Sequence, residues 1–447
     1  MITVHNCDVF YYLLTKGLQS VEKHKGLIFL LIIIQPVIDL ITSITNQYSD
    51  VAISIGALFR TFVMAFLFIL IVKYLLHNHR IMLFAFFGAF GSILITLIAN
   101  YFLKSNFLLF PEINFALKTS YYLVIVYLSI ILFKKYVLDR ESFSKATTIV
   151  SLIVGGSYWL AIVTNTSINS YQYESVGYSG WFFSANELSV IVIVLLALTL
   201  LNLRYNKSIL SWLAFVFIFS MVPMIGTKTA LAGGIVIVFI YAIYLLFTYK
   251  LQVVENKQTL LFFGTVILFV CLSPFSPIAS NTQNLNYEHS KEIERVQVSD
   301  SKNEQSSSLM VRILSSRHLY LQTINEDYSE ANGIRKAFGL GYAGDYNEDP
   351  KLIEMDFFDL FFSYGLIGSI LLLIPLFYLF LLVIKNLLPL SIEKVLLFTA
   401  LGLCLGIALV AGHVLFAPSV MSYAAILFLA IGMELMQRND GVKNEDS

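Results

Sequence analysis

Twelve apolar stretches of membrane-spanning length follow one another along the chain, and no other feature restricts its fold as much. A helix needs about 20 mostly apolar residues to cross the hydrocarbon core of a bilayer, with every backbone polar group satisfied inside the segment. Such stretches run over 26–45, 51–76, 81–101, 113–134, 147–165, 182–203, 208–222, 228–248, 260–280, 356–383, 394–414 and 417–436. They predict an all-α polytopic membrane protein of about 12 transmembrane helices, with 208–222 the weakest of them. Composition agrees: 57% of residues are apolar and 13% charged, where soluble domains carry about a quarter charged residues. Basic and acidic residues balance at 29 each, so no bulk charge attracts nucleic acid. Cys7, Cys271 and Cys404 are too far apart and too few for a disulfide framework or a thiolate metal site.

Charge bias orients the spans. With the N-terminus in the cytoplasm, the inside segments carry Lys16, Lys23, Lys25, Lys73, Arg80, Lys134, Lys135, Arg140, Lys145, Arg204, Lys207, Lys250, Lys257, Lys385, Lys394, Arg438 and Lys443. These are 17 of the 29 basic residues, and the bias holds at every inside turn, as cytoplasmic loops require. Both termini are therefore expected in the cytoplasm. No small-residue cleavage site follows the first lysines, so no signal peptide is read there. The expected organisation is a cytoplasmic segment (1–25), nine spans (26–280), a large outer loop (281–355), three spans (356–436) and a cytoplasmic tail (437–447).

The outer loop has two parts. Its first part, 281–307, is rich in Ser, Asn and Glu and reads as a tether. From Ser308 to about Tyr328 the pattern turns helical, with Met310, Leu314, Leu321 and Ile324 on one stripe. Arg317 lies within that stripe, whereas Arg312 lies roughly opposite. A guanidinium on a buried face needs a partner, either a structural carboxylate or a ligand, so Arg317 stands out.

Ionisable residues inside spans also need partners. Asp39 and Arg60 fall in the outer halves of the first two spans, at depths of roughly 10–15 Å. They either pair with each other, or Arg60 faces a cavity and meets an anionic headgroup. Lys118 is shallow enough to snorkel. Glu187 opens the sixth span after an aromatic Gly180-Trp181-Phe182-Phe183 run, and Thr227-Lys228-Thr229 opens the eighth, where a cation meets a helix N-terminus. Glu354, Asp356 and Asp359 crowd the outer start of the tenth span, where one acid is ordinary and three are not. His318 beside Arg317 is a second base candidate, and His413 is undecided.

The chain carries no metal-ligand spacing, nucleotide-phosphate loop or Ser/His/Asp motif, and its cytoplasmic loops are short. Any chemistry is therefore expected on the outer face, with a substrate already activated there. A lipid-diphosphate-linked sugar meets that condition. Its diphosphate leaves, cations stabilise the charge, and a carboxylate or His deprotonates the acceptor hydroxyl.

The layout resembles the O-antigen ligase/polymerase family of bacterial membrane glycosyltransferases over roughly 180–370. The resemblance rests on the GWFFSANELS opening of the sixth span, the MIGTKTALAGG stretch ending at Gly234, the late outer loop and the FGLGYAG turn at 338–344. An Arg-x3-Leu motif fits Arg317–Leu321. A motif of His, a small polar residue, nine residues and Gly-x-x-Gly fits 354–368, ending at Gly365 and Gly368. Glu354 and Met355 stand where the ligase motif has its histidine and small polar residue, a departure that tilts the reading toward a polymerase. The resemblance implies a helical fold of the lipid-sugar glycosyltransferase type in the bacterial cytoplasmic membrane, needing no metal, cofactor or nucleotide sugar. Its partners would be an undecaprenyl-diphosphate-linked glycan, an acceptor glycan, the bilayer, and a flippase and chain-length regulator. In the expected mechanism Arg317, with Lys228, Arg60, Arg335 and His318, surrounds the diphosphate. Glu354 activates the acceptor hydroxyl, and a single displacement inverts the anomeric carbon beneath the 281–355 loop. The competing readings are a ligase using the same residues, a flippase or transporter, and a non-enzymatic assembly scaffold. Charges clustered toward one face disfavour transport.

Overall fold

The computed structural model describes residues 25–48, 54–134, 139–170, 176–249, 256–281, 317–345 and 351–443, and these are predominantly helical. The helices are α1 (Lys25–Tyr48), α2 (Ile55–Asn78), α3 (Arg80–Leu103), α4 (Leu109–Lys134), α5 (Arg140–Val163), α6 (Ala185–Tyr205) and α7 (Ile209–Met224). They continue with α8 (Lys228–Tyr249), α9 (Lys257–Leu272), α10 (Arg317–Glu330), α11 (Gly333–Phe338), α12 (Asp356–Lys385), α13 (Ile392–Val410) and α14 (Pro418–Lys443). Eleven of them are long and apolar enough to cross a membrane. The twelfth apolar stretch becomes α7, whose 16 residues reach about 24 Å, a little less than the hydrocarbon core. The expected tether at 281–307, with Met310, Arg312 and Leu314, lies outside the described residues.

Hydropathy makes each segment a helix, but burial separates inner helices from lipid-facing ones. α6 is buried along almost its whole length, and most of α4 and α14 is buried with it, whereas α2 and α9 keep largely exposed apolar faces. Packing at the centre is fastened by a few polar side chains. Asn202 of α6 donates to the hydroxyls of Thr147 and Thr148 on α5, and Tyr364 of α12 donates to Thr119 of α4 at 2.7 Å. Such inter-helix bonds are favoured where no water competes. α5 starts seven residues before the apolar stretch at 147, because Asp139 caps it and Arg140 pairs with Glu434 of α14 at 2.9 Å.

Two glycine motifs meet at a kink in α12. Gly365 has φ 65° and ψ −172°, which interrupts the helix after its first turns. The chain at 339–341 lies in the gap, with the N–H groups of Leu340 and Gly341 donating to the carbonyls of Phe362 and Ser363. A Cβ on Gly339 would stand 2.0 Å from the Ser363 oxygen, and one on Gly365 2.5 Å from the Gly339 nitrogen. Both positions therefore require glycine for close backbone approach. Thr96 and Asn100 of α3 bond the carbonyls of Phe338 and Gly339, and Glu112 of α4 accepts from Tyr342 N and from Lys104. The described segment at 333–345 is thus moored on three helices at the end of the bundle where α12 begins.

Candidate functional site

Glu354 lies where three separate segments converge. It occupies the turn before α12 with φ 63°, a conformation that costs a non-glycine residue about 1–3 kcal/mol and persists only when its surroundings over-determine it. Two buried acids from the first turn of α12 supply that constraint. The Asp359 carboxylate accepts the N–H groups of Ile353 at 2.8 Å and Met355 at 3.0 Å, on either side of Glu354. The Asp356 carboxylate accepts from Val414 at 2.8 Å and Leu415 at 2.7 Å, in the turn between α13 and α14. In that turn Gly412 and His413 are also left-handed, with φ 64° and 61°. A Cβ on Gly412 would stand 2.5 Å from the Glu354 carbonyl oxygen, so the two turns touch only because position 412 is glycine. As a result His413 Nε2 lies 3.7 Å from Glu354 Oε2.

Arg317 arrives from the long segment between α9 and α12, as the first residue of α10. Its Nε donates to the Glu354 carbonyl at 3.1 Å and its Nη2 to Oε2 at 3.2 Å. Leu321 and Ile324, on the same face of α10, pack with Leu340, Ile353, Met355 and Phe362. The apolar stripe read in the sequence is therefore what aims the guanidinium. Lys351 Nζ completes the cluster 3.5 Å from Oε1.

One carboxylate thus faces two permanent cations and an imidazole. The interaction with His413 outweighs the burial of Glu354, and with the charges of Lys351 and Arg317 it holds the carboxyl down at about 2. Burial disfavours charge on His413, but Glu354 more than offsets this and raises the imidazole pKa above its ordinary value. Both side chains keep more than a quarter of their surface exposed, 29% and 28%, so a ligand can reach them.

A second feature lies beside this cluster. A cavity of about 610 Å³ is lined by Asp39, Arg60, Lys118, Tyr121, Phe182 and Glu187, among others. Asp39 and Arg60 pair with each other at its buried end, and Gln35 donates to the same Asp39 oxygen at 3.0 Å. Arg60 is therefore the ion-pair partner of Asp39 and also a wall of this cavity. Glu187, held by Ser419 at 2.9 Å, is near enough for its charge to act on both Asp39 and His413, which links the cavity to the Glu354 site.

The remaining expected ligands stand apart. Arg335 is buried and its guanidinium is taken up by Asp345 at 2.8 and 2.7 Å, Asn100 at 3.2 Å and the Leu340 carbonyl. That network pins the 333–345 segment and sets Arg335 apart from the Glu354 cluster, with its guanidinium engaged by protein groups. Lys228 is exposed at the start of α8. The neighbouring Thr227 hydroxyl caps that helix at Ala230 N and bonds Ser189. His318 is half-buried beside Arg317, but the ion pairs of Glu354 run to Arg317, Lys351 and His413. Among the described residues no group of three or more His, Cys, Asp and Glu is arranged to hold a metal ion.

With this geometry in view, the family model for an O-antigen ligase like membrane protein matches residues 21–437. The chain belongs to the O-antigen ligase-like family. The match takes in every described helix except the end of the last, beyond residue 437, and all the segments that build the Glu354 site, far beyond the 180–370 stretch marked by motifs. Family membership supports a membrane glycan-transfer function for this O-antigen ligase-like protein. No curated protein and no solved structure matches it.

Sequence reasoning did not single out Lys351 or assign His413, and it grouped Asp356 and Asp359 with Glu354 without separating their tasks. A histidine after a glycine in the short link between two spans was the available signal for His413. The Asp356/Asp359 spacing put both acids on one helix face without showing that each reaches a different turn.

Proposed function

We propose that this protein is a membrane glycosyltransferase that polymerises undecaprenyl-diphosphate-linked oligosaccharide repeats into a surface polysaccharide, on the outer face of the bacterial cytoplasmic membrane. The observation that carries the reading is the surplus of cationic groups around one partly exposed carboxylate at Glu354. Cleavage of a glycosyl diphosphate leaves negative charge on the departing phosphate, and pre-placed cations stabilise it without reorganising. Arg317 is the principal such group, with Lys351 beside it. The Glu354 cluster also supplies the group that takes the proton of the acceptor hydroxyl. The acceptor oxygen attacks the anomeric carbon, the bond to the diphosphate breaks, and the configuration inverts in one displacement, with no metal or nucleotide sugar required. Both termini face the cytoplasm in this orientation, a flippase supplies the donor, and a chain-length regulator sets the product length.

Membership of an O-antigen ligase-like family supports a second reading equally, transfer of a finished glycan from the same donor to a lipid or cell-wall acceptor. A gel of surface glycan separates the two, using a deletion strain complemented with wild type, Arg317→Ala or Glu354→Ala at equal membrane expression. A wild-type ladder that collapses to a single repeat in both variants is the result expected of a polymerase. Long chains stranded on the carrier lipid would identify a ligase, and unchanged glycan in both variants would sink the catalytic assignment.

A further inference from the structure

The oxygens of Glu354 are directed at cations. Oε2 faces Arg317 Nη2 at 3.2 Å and His413 Nε2 at 3.7 Å, and Oε1 faces Lys351 Nζ at 3.5 Å. A carboxylate surrounded in this way is a poor proton acceptor, because the same charges that hold it ionised lower its basicity. The imidazole is placed differently. Its Nε2 is buried 3.7 Å from Glu354 Oε2, a charge contact longer than a hydrogen bond, and no hydrogen bond engages Nδ1 among the described residues. Its position is fixed by the Asp356 clamp on Val414 and Leu415 and by the Gly412–Glu354 backbone contact. A left-handed histidine held against a left-handed glutamate, each from a different turn, marks a juxtaposition that the fold maintains at a cost.

We propose that His413 is the general base of the reaction, taking the acceptor hydroxyl proton on Nδ1, and that Glu354 is the positioning residue that orients the ring and stabilises the imidazolium. This rests on the glycosyl-transfer reading above. In the step, the acceptor O–H bond breaks and its proton goes to Nδ1. The oxygen forms the new bond to the anomeric carbon, and the carbon–oxygen bond to the diphosphate breaks with its electron pair leaving on the phosphate beside Arg317. The imidazolium then returns its proton to water. The charged groups that act on the ring are Glu354, Glu187 and Asp356, with Arg317 and Lys351 across Glu354. The acids favour the imidazolium. The elevated basicity of His413 suits a base working near neutral pH.

The test is the pH dependence of kcat/KM for the full-length protein in nanodiscs, acting on a synthetic polyprenyl-diphosphate-linked repeat that serves as donor and acceptor. The wild type is expected to lose activity on an acid limb above pH 6.5, the ordinary imidazole value. His413→Gln should lower the rate by about 10²–10⁴-fold and abolish that limb. Glu354→Gln should keep more activity than His413→Gln, with the acid limb displaced to lower pH because the imidazole has lost its carboxylate. That displacement is read on the folded, residually active enzyme, so it holds even if His413→Gln misfolds. A His413→Gln enzyme with near wild-type rate, or a limb that stays in place in Glu354→Gln, overturns the assignment and leaves glycosyl transfer intact. A wild type that transfers nothing from the lipid diphosphate overturns the transfer reading and this assignment with it.

Discussion

Arg317 and Arg335 come from the same segment between α9 and α12, and each holds a carboxylate, yet their surroundings differ in kind. Arg335 grips Asp345 with a two-pronged fork, places Nε on Asn100 and keeps only 8% of its side chain exposed. Its donors are met by the segment it pins and by Asn100 of α3, so it acts as a structural rivet. Arg317 uses Nε and Nη2 on one residue, has no hydrogen bond from Nη1 among the described residues, and binds a carboxylate that is itself shared with Lys351 and His413. A one-to-one pair with its donors satisfied has nothing left to offer a ligand. A carboxylate outnumbered by cations leaves positive charge unbalanced at a reachable surface. The Asp39–Arg60 pair falls between them, paired one to one but forming a cavity wall.

The largest expected effect sharpens that contrast. Arg317→Ala should cut glycan transfer by about 10²–10³-fold, as loss of a transition-state charge stabiliser does, while changing thermal stability by no more than about 1 kcal/mol. Arg335→Ala should do the reverse. Breaking a buried pair costs on the order of 3 kcal/mol, so unfolding temperature and membrane yield should fall while activity per folded molecule stays close to wild type. If both arginines move activity and stability together, the distinction between site and rivet is wrong. Asp359→Ala leaves the Ile353 and Met355 N–H groups unsatisfied, at about 1–3 kcal/mol each. Its activity loss should exceed what its melting shift explains, because the first thing released is the turn presenting Glu354.

Smaller effects probe the rim. Lys351 is half-exposed, so Lys351→Ala should shift stability by less than about 1 kcal/mol, with any activity loss shrinking at high salt. Acid should loosen the clamp between α10 and α12. The Glu354 carboxyl lies at about 2 in the folded protein against 4.5 ordinarily. Its stabilising contribution is complete above pH 4.5 and is lost as pH falls toward 2. Hydrogen exchange of 317–330 should therefore quicken across that window, and Glu354→Gln should remove the pH dependence.

Much of the fold was legible in the sequence, since each of the twelve apolar stretches became helical, the one at 260–280 ending its α-helix at Leu272 and continuing in a 3-10 turn at Ser273–Phe275. Where the ends moved, polar residues moved them, as Asp139 and Arg140 did for α5. The site was partly legible. Arg317 stood out because a charge on an apolar stripe is anomalous, and Glu354 because three acids crowd one helix start. The Arg335–Asp345 pair was not legible because Asp345, ten residues away, looks in sequence like any loop acid.

Hydropathy is a local property summed over about 20 residues, so the chain by itself determined that it crosses a membrane many times and roughly where. Its motifs also placed one arginine and one carboxylate in the same functional frame. Which charges meet is a matter of distance in space. Arg317 and Glu354 are 37 residues apart, and His413 reaches them only from the turn between the last two spans. Asp356 and Asp359 have the same chemistry and nearly the same position in sequence, yet one holds the turn of His413 and the other the turn of Glu354. Only the tertiary structure could decide that, because a carboxylate takes its role from the N–H groups and cations brought within about 3 Å of it, and packing alone brings them there.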